Sequence, residues 1–356
     1  KSQRAGIQSR FILLGHPAGI MYDLLQPQFR RNSARIRGER GVPCGQATGD
    51  YQPHARQRLA SVRPGVQQAG DILAHVQPPQ VEHIRRGLDR FLPGRCIEGV
   101  NIPWPGILAT HTPSDFAAAV RGLAFGPVAR RGKYLIICLP PHTLTIHLRM
   151  TGRLYAADEP DPGWEDHPHT RAVFQLDGGA RLYMRDLRKF GRIYLSSSAS
   201  SLVDRLGPEP LSDTFTLERF AEMLSSHHRQ IKPLLLDQHT VAGLGNIYTD
   251  ESLWKAGLHP LRRADSLTAE EVAALYTALR AILAEAVTHG GTTLRDYRGV
   301  DDVAGSHQRA LAVYGRAGHA CPRCCTPVVR IVVGQRGTHI CPTCQREHEP
   351  REDDCG

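Results

Sequence analysis

Apolar residues at helical spacing mark two amphipathic helices in this chain. The first is indicated by four residues that share one helical face: Val81, Ile84, Leu88 and Phe91. The pair Pro93-Gly94 follows and is expected to end it. The second begins after Thr268, because Thr268 and Glu271 have the spacing of a capping box. Gly290-Gly291 is expected to end this second helix.

Between these helices the apolar pattern changes from a helical to an alternating period. Runs of β-branched, aromatic and aliphatic residues predict strands at 134–139, 144–148, 172–176, 181–184 and 192–195. Gly178-Gly179 predicts a hairpin turn. The helical period then returns, with a short helix from Asn246 to Gly257. We therefore expect an α+β protein: an antiparallel β-sandwich (76–205), a helical domain (206–312), a C-terminal hairpin (313–350) and a tail (351–356).

The first 75 residues differ from the rest in composition. They are rich in Arg and Gln and show no sustained period, which predicts an irregular or disordered extension. Eleven basic and four acidic residues in this segment account for +7 of the formal net charge of +9. The overall charge is therefore weak support for a nucleic-acid partner, and local basic positions must carry that argument. The chain opens with Lys, so this segment is interpreted as upstream translation or a fragment.

Several classes of protein are excluded by simple counts. No run of 18 apolar residues exists, so no membrane-spanning helix is expected. The apolar stretch Phe11 to Leu14 is too short for the core of a signal peptide. Nine cysteines, an odd number, argue against a secreted disulfide framework. A cytosolic protein is the expectation.

Four of the cysteines form two CxxC pairs near the C-terminus. The four candidate ligands are Cys321, Cys324, Cys341 and Cys344. Sixteen residues separate the pairs, which is the length of a β-hairpin that can place four thiolates around one ion. All four positions are protein ligands, so the spacing predicts one structural zinc ion per chain. Cys325 is interpreted as a bystander.

Two short segments could present groups to an anion. Gly243 and Gly245 allow a close backbone approach before the helix that starts near Asn246, and Asn246 is predicted to be its N-cap. Arg336 is expected at the tip of the cysteine-flanked hairpin, where a guanidinium can grip a phosphate. Each feature alone is equally consistent with an ordinary glycine-rich turn or a solvated arginine.

Taken together, the motifs resemble the formamidopyrimidine-DNA glycosylase (MutM) family over about 270 residues. The matching blocks are Val81-Glu-His-Ile-Arg-Arg-Gly87, Arg131-Gly-Lys-Tyr134, His147-Leu-Arg-Met-Thr-Gly-Arg153, Asp186-Leu-Arg-Lys-Phe-Gly191, Leu206-Gly-Pro-Glu-Pro-Leu211, Ile231 to Gln238, Ala242 to Trp254, and His259-Pro260. The block from Ile231 to Trp254 resembles that family's helix–two-turn–helix, and the zinc hairpin resembles its second DNA clamp. The resemblance implies a base-excision-repair glycosylase and abasic-site lyase that acts on oxidised purines.

The resemblance assigns roles to particular side chains. Such enzymes extrude the damaged nucleotide from the duplex, and three residues match those that fill the gap: Met150, Arg188 and Phe190. Lys133, Asn246 and Arg336 resemble phosphate contacts. Lys133 and Arg336 also match positions credited with proton transfer during strand cleavage.

Further positions follow from the same likeness. His147, His167 and Lys232 resemble DNA-contacting or site-lining residues. Residues 297–308 resemble the loop that caps an extruded 8-oxoguanine, which favours the formamidopyrimidine branch over the endonuclease VIII branch. The implied partner is damaged double-stranded DNA, bound by a monomer in the bacterial cytoplasm.

The likeness fails where the family's chemistry begins. Members start with a proline, whose free amine attacks the sugar, followed by a glutamate. Here Val76 and Gln77 occupy those positions, and Val76 is preceded by 75 residues, so its nitrogen is a peptide amide. Three explanations stay open: a mis-assigned start, a lesion binder that does not cut, or another amine, such as Lys133, acting as the nucleophile.

Overall fold

The computed structural model describes residues 78–292 and 305–347. The predicted extension, Val76, Gln77, the tail from residue 348 and positions 297–304 of the expected capping loop lie outside these residues. Among the described residues, no helix is both long and apolar enough to cross a membrane.

The first part of the described chain is built from two antiparallel sheets. Its strands are β1 (Ile97–Asn101), β2 (Val128–Arg131), β3 (Tyr134–Leu139), β4 (His142–His147), β5 (Gly152–Ala157), β6 (Thr170–Leu176), β7 (Arg181–Asp186) and β8 (Arg192–Ser196). Strands β9 (Val329–Val333) and β10 (Arg336–Ile340) pair with each other in the C-terminal hairpin. One sheet has the order β1-β6-β7-β5 and the other β2-β3-β4-β8. Their facing apolar side chains share one core with the first helix. The α+β prediction with a β-sandwich is therefore confirmed.

Among the described residues, four α-helices lie in the sandwich part of the chain and four follow it. They are α1 (Pro78–Phe91), α2 (Pro113–Val120), α3 (Pro162–Glu165), α4 (Ser200–Val203), α5 (Leu217–Ser225), α6 (Ile231–Leu236), α7 (Asn246–Ala256) and α8 (Ala269–Thr288). The capping box at α8 is present: the Glu271 N–H donates to Thr268 and the Thr268 N–H donates to Glu271. Gly290, at φ +67°, follows its end as predicted.

The strands with strong apolar runs were the ones that the sequence predicted. β3 lies at the predicted residues, and its buried Leu135, Ile137 and Leu139 alternate with half-buried positions. Strands β1, β2 and β5 were not predicted. β2 has the sequence VARR, in which Val128 is the one buried residue, so two arginines leave too weak an apolar pattern to predict a strand. Such strands are defined by their partners rather than by their own pattern.

A second apolar core lies between the helices that follow the sandwich. It is formed mainly by α5, α6, α7 and α8. α7 is buried on nearly every side, and it carries the acidic residues Asp250 and Glu251 into the interior. The Glu251 carboxylate accepts hydrogen bonds from the N–H groups of residues 312–314, at 2.7 to 2.9 Å. Buried acids are therefore used here to join the helical core to the C-terminal hairpin.

Candidate nucleic-acid interface and metal centre

A cleft of about 510 Å³ lies where sandwich loops, the α6–α7 turn and the β9–β10 hairpin meet. Its lining side chains are Lys133, His147, Arg149, Met150, Phe190, Arg192, Leu236, Gln238, Leu244, Asn246 and Arg336, with the backbone of Gly245. Four of these lining residues are Lys or Arg, and none is Asp or Glu. A concave surface with this charge attracts a polyanion such as the DNA backbone.

Lys133 occupies the two-residue turn between β2 and β3. Gly132 takes φ +56° in this turn, and its N–H donates to Glu209 at 2.6 Å. The Lys133 ammonium donates to the Leu244 carbonyl at 2.8 Å, which joins the sandwich to the helical domain. Burial lowers the pKa of Lys133 to about 7, with further lowering by the neighbouring Arg336 and Arg149. The amine is thus close to half-protonated at neutral pH.

We expect DNA binding at pH 8 to take up protons at Lys133. With a pKa of about 7 the free amine is mostly neutral at pH 8, and a contacting phosphate favours the charged form. Affinity should therefore fall as the pH rises above 7, by up to about tenfold per unit. Calorimetry in two buffers of different ionisation enthalpy measures this uptake. Lys133→Arg, which stays charged, should lack it; equal uptake in both proteins would contradict the assignment.

The turn before α7 is fixed by one glutamine side chain. Gln238 accepts a hydrogen bond from the Gly243 N–H at 2.9 Å and donates to the Leu244 carbonyl at 2.9 Å. Gly243 takes φ +92°, a conformation that favours glycine. These bonds hold the backbone that leads to Asn246 on the cleft wall.

The N-cap prediction for Asn246 is wrong. Gly245 is the N-cap residue of α7, and Asn246 is the first residue inside the helix. Its side-chain amide instead donates to the Gly337 carbonyl at 2.8 Å. Asn246 therefore connects the helix start to the hairpin that carries Arg336.

Arg336 lies where the sequence predicted it, at the first position after the hairpin turn. Gly334 and Gln335 both have positive φ, +54° and +61°, as a tight two-residue turn requires. A Cβ at Gly334 would lie 3.1 Å from the Pro233 side chain, so the tip rests against α6. The Arg336 residue is exposed on the cleft.

Two loops of the sandwich carry the three predicted gap-filling residues. Met150 follows β4, while Arg188 and Phe190 lie between β7 and β8, with the Arg188 guanidinium 4.9 Å from the Phe190 ring centre. Phe190 is 45% exposed and Leu187 in the same loop is 54% exposed, so this loop presents two large apolar side chains to solvent. Met150 and Phe190 line the cleft, and Arg188 lies beside it.

A buried carboxylate braces the two loops that carry these side chains. Asp186 is fully buried and accepts hydrogen bonds from the Thr151 hydroxyl, the Gly191 N–H at 2.6 Å and the Arg188 N–H at 3.2 Å. The loop after β4 and the loop after β7 are therefore held in one arrangement. This is a rigid support of the kind that a wedge into stacked bases needs.

The two predicted histidines lie in different surroundings. His147 is buried at the cleft wall, edge-on to Tyr134 at 4.6 Å, and its Nδ1 accepts from the Arg149 N–H. His167 is not among the residues of the cleft. It lies 5.2 Å from the His169 ring, and burial, followed by the nearby Arg185, lowers its pKa.

Lys232 does not reach the cleft, which corrects its interpretation as a DNA-contacting residue. Its side chain is fully buried, and the ammonium donates to Asp250 at 2.5 Å and to Thr338 at 2.7 Å. Burial lowers the pKa of Lys232, and the Asp250 carboxylate opposes that shift. The other Asp250 oxygen accepts from the His339 N–H at 2.9 Å. The pair fastens α6 and α7 to the hairpin.

Three polar residues of the cleft were not predicted, Arg149, Arg192 and Gln238, and neither were the apolar Leu236 and Leu244. Arg149 lies inside the block from His147 to Arg153, and its φ of +57° turns the chain between two other site residues. Gln238 ends the block that begins at Ile231, and Arg192 directly follows the block that ends at Gly191, but neither residue type by itself indicates a site. They reach the cleft through sheet register and turn geometry.

The four predicted cysteines converge at the base of the hairpin. Their Sγ atoms lie within 4.8 Å of one another, with individual separations of 3.3, 3.5 and 3.9 Å. Four thiolates about 2.3 Å from a tetrahedral ion would be about 3.8 Å apart. The donor set therefore fits one structural zinc ion. The Trp254 indole N–H donates to Cys321 at 3.4 Å, and backbone N–H groups donate to Cys321 and Cys341. Such donors stabilise thiolate ligands.

Three family models match the chain in this order. The model of the formamidopyrimidine-DNA glycosylase N-terminal domain matches residues 77–193, and that of its H2TH domain matches residues 206–298. The model of a zinc finger found in FPG and IleRS matches residues 318–346. Together they include every residue that lines the cleft and the four cysteines.

Relatives and solved structures agree with these models. The formamidopyrimidine-DNA glycosylase of Herpetosiphon aurantiacus is 49% identical over 273 residues, 75% of this chain and 98% of the relative. That of Enterococcus faecalis is 44% identical over 274 residues, covering 75% and 96%. A complex of Lactococcus lactis Fpg with DNA containing an abasic site matches with a TM-score of 0.70 at 34% identity, covering 76% of this chain and all of that chain. A MutM complex with DNA containing carbocyclic 8-oxo-G matches equally well.

Proposed function

The chain belongs to the formamidopyrimidine-DNA glycosylase family, and on that premise we propose that it recognises oxidised purines in double-stranded DNA and excises them. The proposal includes 8-oxoguanine and formamidopyrimidines as substrates, strand cleavage by an abasic-site lyase step, and action as a monomer in the bacterial cytoplasm. The observation that carries it is one cleft that is lined by Lys133 and three arginines and also by Met150 and the exposed Phe190.

Three polar side chains of the cleft suit the sugar-phosphate backbone beside a lesion. Lys133, Asn246 and Arg336 come from three separate elements, yet they line the same cleft. Phosphate contacts of this kind position a protein on DNA without reading sequence. They would hold the strand while the damaged nucleotide is turned out of the duplex.

The side chains of the loops after β4 and β7 suit the gap that an extruded base leaves. Met150 offers a flexible apolar side chain, Phe190 a stacking surface and Arg188 hydrogen-bond donors for an orphaned base. Asp186 fixes the loops that carry them. Phosphate-binding and base-stacking groups in one cleft match base extrusion better than they match simple duplex binding.

A second candidate is a lesion-binding protein that does not cut. It is favoured by Val76 and Gln77, which stand where the family has its proline nucleophile and its acid. An amide side chain cannot donate a proton as a carboxylic acid does. A third candidate is an enzyme in which the Lys133 amine, whose pKa is about 7, takes the place of the proline nucleophile at the cleft.

Borohydride trapping on an 8-oxoguanine:cytosine duplex separates these candidates. Three proteins are compared: the full chain, the full chain with Lys133→Ala, and a chain shortened to start at position 76 with Val76→Pro and Gln77→Glu. Glycosylase activity predicts base release and a covalent adduct with the shortened chain. An adduct with the full chain that Lys133→Ala abolishes would identify Lys133 as the amine. Lesion binding without any adduct would contradict the enzyme proposal and support the lesion-binding protein that does not cut.

A further inference from the structure

A second group of metal-ligand side chains lies at the end of α8, away from the cleft and the cysteines. It consists of Glu285, His289 and His307, whose ligand atoms lie within 4.8 Å of one another. Glu285 and His289 are four positions apart, so they share one face at the helix end. His307 opens the short 3-10 helix His307–Ala310. None of the three lines the cleft.

The two histidines have the separation that a shared ion requires. Their Nδ1 atoms are 3.2 Å apart. Two nitrogens bound about 2.05 Å from a tetrahedral ion would be about 3.3 Å apart. A hydrogen bond between two neutral imidazoles gives a similar distance, so the separation alone does not choose between them. The Glu285 carboxylate on the same side supplies the third donor.

The backbone around the two histidines is held in place independently of their rings. The Ser306 N–H donates to the His289 carbonyl at 3.0 Å, and the His307 N–H donates to the Gly291 carbonyl at 3.1 Å. A Cβ at Gly305 would lie 2.3 Å from the Gly291 oxygen, so only glycine permits this approach. The imidazoles thus start close to a binding arrangement, which reduces the entropy cost of ligation.

The three ligands differ in how far they are buried. The His307 residue is only 3% exposed, and its ring lies 5.7 Å from the buried Tyr248 ring. Glu285 and His289 are exposed, so solvent and ions reach the cluster from their side. The arrangement is one buried ligand with two accessible ones.

We propose that Glu285, His289 and His307 bind a divalent transition-metal ion of the zinc and nickel class, in addition to the zinc held by cysteines. Two imidazoles and one carboxylate are the donor set that such ions prefer. Mg²⁺ and Ca²⁺ prefer oxygen ligands and do not suit it. The ion would join the end of α8 to the residues that follow positions 293–304. It would therefore hold together the two ends of that segment.

Nickel titration of the zinc-loaded full chain tests the proposal. Calorimetry should show one Ni²⁺ bound per chain with no release of the cysteine-bound zinc, and the melting temperature should rise with Ni²⁺. His289→Ala and Glu285→Gln change exposed side chains, so both proteins should fold and keep one zinc. Loss of a residue that only hydrogen-bonds to a metal ligand weakens metal binding by about 10–100-fold. His289→Ala removes a ligand itself, so it should weaken Ni²⁺ binding by at least that factor.

The matched control is His228→Ala, which removes an exposed histidine of the same domain outside the cluster. It should bind Ni²⁺ like the parent chain. The proposal fails if the parent chain binds no Ni²⁺ at millimolar concentration, or if His289→Ala binds it as tightly as His228→Ala does. In either case the cluster is a hydrogen-bonded pair of histidines.

Discussion

Replacing Cys341 with serine is expected to remove zinc from the protein and to abolish tight DNA binding. The hairpin has very little apolar core of its own: beside the four cysteines, its cluster holds Val313, Val328 and the half-buried Trp254. Structural zinc contributes about 10–16 kcal/mol of apparent binding free energy in zinc-finger peptides. Without the ion the hairpin should unfold, and Arg336 would no longer be held on the cleft.

Metal analysis, thermal unfolding and DNA titration measure this prediction together. Cys341→Ser should contain no zinc, while the sandwich should still unfold cooperatively, because its core is separate from the hairpin. Cys96→Ser is the matched control, since Cys96 is a half-buried free cysteine of the sandwich and is outside the cluster of four. One zinc per chain retained by Cys341→Ser would contradict the assignment of the ligands.

Replacing Lys232 with methionine is expected to destabilise the protein by about 3–5 kcal/mol. Met has a similar length, but it leaves the Asp250 carboxylate buried and without its cation. Adding Asp250→Asn should recover much of the loss, because the amide is neutral and its oxygen can still accept from the His339 N–H. Denaturant unfolding gives the free energies.

The same variants separate stability from DNA contact. Lys255→Met, an exposed change on α7, should shift the free energy of unfolding by less than about 0.5 kcal/mol. The double variant should bind DNA more tightly than Lys232→Met, because the hairpin with Arg336 is again held against α6. Equal stability of Lys232→Met and the parent chain would contradict the buried ion pair.

The zinc site and the capping box of α8 were predictable because their chemistry is local. The four cysteines occupy two short motifs, and the spacing alone fixes the chelate. The same holds for α8, where Thr268 and Glu271 are three positions apart. In both cases the partners lie within a few residues or within one hairpin, so the printed sequence contains the whole interaction.

The cleft was only partly predictable because its walls come from distant parts of the chain. The Lys133 ammonium meets a carbonyl 111 positions away, and Asn246 meets one 91 positions away. Lys232 was misinterpreted for the same reason: its partner Thr338 is 106 positions distant, and burial cannot be read from one lysine. Family resemblance supplied Met150 and Phe190, but it did not supply the Asp186 brace.

The most direct test of lesion recognition compares two duplexes of one sequence at one salt concentration. One contains 8-oxoguanine opposite cytosine, and the other contains guanine. We predict at least about tenfold tighter binding to the lesion, a difference of about 1.4 kcal/mol. Met150→Ala should reduce that ratio while leaving the affinity for undamaged DNA nearly unchanged, because the phosphate contacts remain. Equal affinity for the two duplexes would contradict the account, since the cleft would then hold DNA without distinguishing the damaged base.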